Sequence, residues 1–198
     1  MAFPRSTRLV RFAAVALVST VVLSACRSGG ADLPILPIGG DFTLTDHDGQ
    51  AFALASQRGK AVLIFFGYTS CPDACPTTLS KLTSVYRKLG DDAAKVKTLY
   101  VSVDPERDTP AALKADLEHF RLDATGLTGT KAEIDKVVAA YAAAYEITPT
   151  PESAAKYTVA HTTTLYALDT QGRVRVLFDY EATVDQIVDG IRSVLRAG

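Results

Sequence analysis

Lys60-Ala-Val-Leu-Ile-Phe-Phe-Gly-Tyr-Thr-Ser-Cys-Pro-Asp-Ala-Cys-Pro76 is an apolar run that ends in two cysteines. Residues 61–67 carry no polar side chain, the pattern of a strand buried on both faces rather than of a half-exposed one. Pro76 suits the first position of a helix, where its missing N–H is not needed. Leu79, Leu82, Val85, Tyr86 and Leu89 then recur at helical spacing until Gly90 stops the run. Cys71 and Cys75 therefore stand where a buried strand turns into a helix. The positive end of a helix favours thiolates, and thiolates are the species that attack disulfides and bind metals.

Upstream, Asp41-Phe-Thr-Leu-Thr and Ala51-Phe-Ala-Leu54 alternate around Asp46-His47-Asp48-Gly49, which predicts a β-hairpin. Downstream, residues 96–103 read as a second strand. In Asp104-Pro-Glu-Arg-Asp-Thr-Pro110, Thr109 is placed to cap and Pro110 to start a helix through about Phe120. Thr130 and Glu133 form the capping box of a helix that carries Ile134, Val137, Val138 and Tyr141. Residues 163–168 read as a strand, Asp169-Thr-Gln-Gly172 as a turn and residues 174–178 as its partner; Thr183 caps a closing helix. The order hairpin, β, α, β, α, α, β, β, α predicts an α/β domain with a mixed central sheet, an N-terminal β-hairpin and flanking helices. Its chemistry belongs at the carboxyl end of the first buried strand.

The third cysteine has a separate role. Arg5, Arg8 and Arg11 precede an apolar stretch from Phe12 to Ala25, too short for a membrane span of about 20 residues but suited to an export signal. Leu23-Ser-Ala-Cys26 resembles a bacterial lipobox, so residues 1–25 are expected to be a lipoprotein signal peptide and Cys26 the lipidated residue. The Gly- and Pro-rich residues 26–40 are expected to form a flexible tether, and residues 41–198 the domain. Removing three of the 21 basic residues leaves 18 against 22 acidic ones, a mature charge of about −4 with no basic patch. Nucleic acid is excluded as a partner on that ground. Export places the chain outside the reducing cytosol, where Cys71 and Cys75 can also form a redox disulfide.

Three histidines are available to complete a metal site. His47 lies in the hairpin turn and reads as a solvated residue; His119, near a helix end, reads as a partner of that terminus. His161, ahead of a core strand, is the one that the topology brings toward the thiols. Two thiolates and one imidazole are soft donors: structural zinc normally takes four protein ligands and iron–sulfur clusters four cysteines, whereas three suit trigonal Cu(I), and the same groups accommodate Cu(II). Asp73 and Asp104 read either as charges beside the metal or as solvated loop acids. Arg107 and Asp108 read as a pair across their loop.

The Lys60–Leu79 stretch, Val103-Asp-Pro-Glu-Arg-Asp-Thr-Pro110 and Val159-Ala-His161 together resemble the Sco/SenC copper-chaperone family over residues 40–196. The resemblance implies a membrane-anchored, extracytoplasmic, thioredoxin-like domain that binds copper through Cys71, Cys75 and His161. It also implies a role in assembling the dinuclear copper centre of cytochrome c oxidase subunit II, with a periplasmic copper carrier as a second expected partner. The chain departs from the family pattern at Ala160, where relatives commonly carry an acid, and at Ser70, where many carry a histidine.

Two enzymatic readings compete. A thiol–disulfide oxidoreductase needs only a thiolate and an accessible disulfide, but general reductases of this fold use a two-residue spacer and a proline opposite the thiols. Here three residues separate the cysteines, and His161-Thr-Thr-Thr-Leu165 contains no proline. A peroxidase or redox sensor using the same pair needs an arginine near the cysteine and a threonine placed before it; Thr69 is present, but no matching arginine stands out in the adjoining strands.

Overall fold

The computed structural model describes Met1 and residues 33–198. The expected signal peptide and the lipidated Cys26 lie outside the described residues. Nine strands are described: β1 (Thr43–Asp46), β2 (Ala51–Ala53), β3 (Ala61–Gly67), β4 (Val96–Ser102), β5 (Ala124–Thr128), β6 (Tyr145–Thr150), β7 (Lys156–His161), β8 (Leu165–Leu168) and β9 (Val174–Phe178). Four α-helices accompany them: α1 (Ala74–Leu89), α2 (Pro110–Leu117), α3 (Lys131–Ala140) and α4 (Val184–Ala197).

Seven strands form one mixed sheet in the order β2-β1-β5-β4-β3-β8-β9, with β3, β4 and β5 parallel and the rest antiparallel to their neighbours. The fully buried β3 lies near the middle, as its unbroken apolar run requires. Its Leu63 and Phe65 face a core completed by α1, α2 and α4, while Ile64 and Phe66 face a second core built with α3. Thr109, Thr130 and Thr183 each accept a backbone N–H at the start of α2, α3 and α4, and the last two close full capping boxes with Glu133 and Gln186.

Four details differ from the reading of the sequence. Helix α1 opens at Ala74, so Pro76 is its third residue and not its first; the position still needs no N–H, because the first four have no acceptor within the helix. Strand β5 is an addition, its pattern weakened by Gly126, where a Cβ would stand 2.9 Å from Leu113 of α2. The β6–β7 hairpin is a second addition, a separate two-stranded sheet masked by Pro149, a residue that argues against a strand. The expected tether is not free along its length. The Leu36 and Gly39 N–H groups donate to the carbonyls of Val174 and Ala140 at 2.9 and 2.7 Å, the Arg175 guanidinium donates to the Leu33 and Pro34 carbonyls, and Leu36 and Ile38 pack on the second core.

Candidate metal centre

Cys71, Cys75 and His161 meet at the carboxyl end of β3. One donor atom from each lies within 4.8 Å of the other two. Both cysteines are free thiols, Cys71 half-buried in the turn before α1 and Cys75 buried as the second residue of that helix. His161, the last residue of β7, presents Nε2 at 3.7 Å from Cys71 Sγ and 3.5 Å from Cys75 Sγ. Its Nδ1 lies 3.0 Å from the Thr162 carbonyl. That contact assigns the proton to Nδ1, so Nε2 carries the lone pair that faces the sulfurs, the arrangement a metal-binding imidazole needs. Burial pushes the His161 pKa below its ordinary value, which keeps the ring neutral. The edges of Phe65 and Tyr68 enclose it, with ring centroids 6.0 and 5.7 Å away.

The two sulfurs are not equivalent. The Cys75 N–H points at Cys71 Sγ, 3.5 Å away, so the open end of α1 serves the more accessible cysteine. Burial pushes the Cys75 thiol up to about 12, the opposite of what its place at a helix start suggests. Room for this sulfur depends on Gly67, where a Cβ would stand 2.7 Å from Cys75 Sγ.

The other expectations separate on inspection. His47 is half-buried rather than solvated, its Nδ1 accepting the Gly126 N–H at 3.1 Å, because β1 pairs with β5. His119 is exposed beyond the end of α2, and Asp73 is exposed just ahead of α1. Asp104 is neither solvated nor beside the sulfurs: only 1% exposed, it accepts the Tyr157 hydroxyl at 2.7 Å and pairs with Arg107. Arg107 therefore does not pair with Asp108. Asp108 instead accepts the Thr69 N–H and hydroxyl at 3.0 and 2.7 Å and the Ser102 hydroxyl at 2.7 Å, pinning the cysteine turn to the end of β4.

The sequence reading missed how His161 is held. Arg107 stacks on Tyr157, 3.8 Å from the ring centroid, reaches the carbonyls of Ala155 and Tyr157, and lies over Tyr68 at 5.6 Å. Together with Asp104 it fastens β7 to the loop after β4. A signal was present: Tyr157, Val159 and His161 alternate as one inward strand face, and the structure buries Val159 and half-buries the other two. Ala160, on the outward face, is exposed and pairs with Glu146 across the hairpin.

The donor set, two thiols and a neutral imidazole, suits copper. A solved structure of Bradyrhizobium japonicum ScoI with copper bound is 43% identical to this chain, with a TM-score of 0.73, and the match covers 80% of this chain and 99% of that one. An SCO2-like protein of Rickettsia conorii is 33% identical over 156 residues, 79% of this chain and 76% of its own length. The structure of BsSco, a member of the Sco family of cytochrome c oxidase assembly proteins with an identified disulfide switch, is 27% identical with a TM-score of 0.64, covering 82% of this chain and 96% of that one. The family model described as SCO1/SenC matches residues 32–196. The chain belongs to the SCO1/SenC family.

Proposed function

We propose that this protein is an extracytoplasmic, lipid-anchored copper chaperone that carries one copper ion between Cys71, Cys75 and His161. It delivers that ion to the CuA site of cytochrome c oxidase subunit II, or prepares the cysteines of that site. The observation that carries the reading is the convergence of three soft donor atoms within 4.8 Å. Two thiolates and one imidazole satisfy trigonal Cu(I) without a fourth ligand, and Cu(II) is held by the same groups. Cys26 supplies the anchor after removal of residues 1–25, residues 26–40 link it to the domain, and residues 41–198 carry the copper site. A periplasmic copper carrier loads the site.

Titration of the reduced protein with Cu(I) is expected to give one ion per chain. Replacing either cysteine by serine abolishes binding, and His161→Ala weakens it strongly. X-ray absorption of the loaded protein should count two sulfur neighbours and one nitrogen. Copper binding that survives the cysteine substitutions overturns the reading. Metabolic labelling with a fatty acid, lost in Cys26→Ser, tests the anchor, and co-purification with subunit II tests the partner.

A second reading is supported by the half-buried Cys71, a thiol that a partner disulfide can reach. It is partner-specific reduction through a Cys71–Cys75 disulfide, which shares the site because Cu(I) loading requires the same reduced pair. Slow turnover on insulin alongside reduction of oxidised subunit II is the expected pattern.

A further inference from the structure

Tyr100, the fifth residue of β4, has no exposed surface. Its ring stacks on Phe65 of the neighbouring strand, with centroids 6.1 Å apart and planes 17° from parallel. The side chain is thus held as a core aromatic. At its tip is a buried hydroxyl with no hydrogen-bond partner. An unpaired buried hydroxyl is unfavourable, and phenylalanine would fill the same space without it.

The hydroxyl lies at the candidate metal centre. The notch over Gly67 brings it together with Cys75: a Cβ on Gly67 would stand 3.0 Å from Tyr100 Oη and 2.7 Å from Cys75 Sγ. Leu63, Phe65, Leu79 and Leu113 line the surrounding core, so a charge on this sulfur has few polar groups to meet. The polar group that shares the Gly67 notch with this sulfur is the Tyr100 hydroxyl.

We propose that Tyr100 is a positioning residue of the metal site, its hydroxyl held to donate a hydrogen bond to the Cys75 sulfur when that sulfur is a metal-bound thiolate. The proposal rests on Cys75 being a ligand. A hydrogen bond to an ionised acceptor is stronger than one between neutral groups, so the hydroxyl contributes more to the loaded protein than to the unloaded one. A phenol ordinarily ionises only at about pH 10, so the donor proton is present throughout the neutral range. No bond is made or broken in this step; the proton stays on the tyrosine.

The consequence is an unusual pair of signs. Tyr100→Phe should leave the melting temperature of the unloaded full-length protein, purified in detergent, unchanged or higher, because it removes an unpaired hydroxyl. The same substitution should weaken Cu(I) binding about tenfold in competition with bicinchoninate, equivalent to about 1.4 kcal/mol, with one ion per chain retained. It should also move the thiolate-to-Cu(II) charge-transfer band to longer wavelength, since a sulfur relieved of its hydrogen bond gives up charge more easily. An unchanged affinity and band, or a Tyr100→Phe chain that melts lower or fails to fold, overturns the proposal. Cys75→Ser, run in parallel, keeps the two readings apart. If it abolishes copper binding while Tyr100→Phe does nothing, only the role of Tyr100 fails; if it leaves binding intact, the ligand assignment fails and the role of Tyr100 with it.

Discussion

Arg107→Ala should loosen His161 from the thiols without touching any of the three donors. The Arg107 guanidinium compensates Asp104, a carboxylate that is only 1% exposed, and breaking a buried pair by removing one partner costs about 3–5 kcal/mol. Asp104 keeps the Tyr157 hydroxyl at 2.7 Å, which argues for the lower end, about 3 kcal/mol. Loss of the cation–π contact with Tyr157, at 3.8 Å, adds about 1 kcal/mol. For a domain of this size each kcal/mol corresponds to about 2–4 °C, so a fall in melting temperature of about 10 °C is expected. Much of that cost is the stranded charge, so Asp104→Asn should relieve it. In a double-mutant cycle the two substitutions together should cost about 2 kcal/mol less than the sum of each alone. Copper binding should weaken about tenfold with one ion per chain retained, because a lone two-stranded hairpin is marginal and β6–β7 shares no strand pairing with the main sheet. Costs that add to within about 0.5 kcal/mol, or an unaltered copper affinity, refute the idea that this pair holds the hairpin in place.

Three further substitutions or truncations read other parts of the structure. Gly67→Ala drives a methyl into Cys75 Sγ and the Tyr100 ring, at 2.7 and 2.6 Å; chemical denaturation should show a loss of about 1–3 kcal/mol, and copper binding should weaken in the same protein. A chain beginning at residue 41 loses the Leu36 and Gly39 hydrogen bonds and the Leu36 and Ile38 packing, so it should be about 3 kcal/mol less stable than one beginning at residue 33; equal melting temperatures would restore the picture of a free tether. At Asp169, burial raises the pKa, but the Arg173 and Arg175 side chains with the Arg173 and Gln171 N–H groups together outweigh it and leave the carboxyl below its ordinary value. A depressed pKa in the folded state contributes stability above the unfolded value of about 4 and loses it as pH falls through the folded one, so Asp169→Asn should lower stability at pH 7 and flatten its decline below pH 4.

Legibility followed the strength of local patterns. The unbroken run of residues 61–67 placed β3 correctly, since nothing but a two-sided burial accommodates Leu63-Ile-Phe-Phe66, and the Thr130-x-x-Glu133 box and the Thr183 cap marked α3 and α4 because those caps are purely local. What stayed hidden depends on partners distant in sequence. Gly126 reads as a strand breaker until α2 lies across it, with Leu113 2.9 Å from where a Cβ would stand. Arg107 and Asp108 are neighbours with opposite charges, yet a turn sends the first to Asp104 and Tyr157 and the second to Thr69 and Ser102. The three candidate donors were nameable from residue type, topology and family resemblance, but the groups that orient His161 were not, because no spacing rule links position 107 to position 157.

The helix start and the interior make opposite demands on Cys75, and their sizes decide which wins. A favourable helix terminus is worth at most about 2 kcal/mol, or about 1.5 pKa units at 1.36 kcal/mol each. Burial moves this thiol the other way, from 9.0 to about 12. Without a metal, Cys75 therefore holds its proton at neutral pH, while Cys71, half-buried and facing the Cys75 N–H, is the sulfur an incoming partner meets first. An exchange catalyst that turns over many disulfides is poorly served by a buried, protonated second thiol. A metal ion is well served by it, because the cation replaces the proton, neutralises the sulfur where solvent cannot, and is released only when the proton or a second sulfur returns. The feature that makes Cys75 a poor general nucleophile is the same one that suits the site to a soft cation.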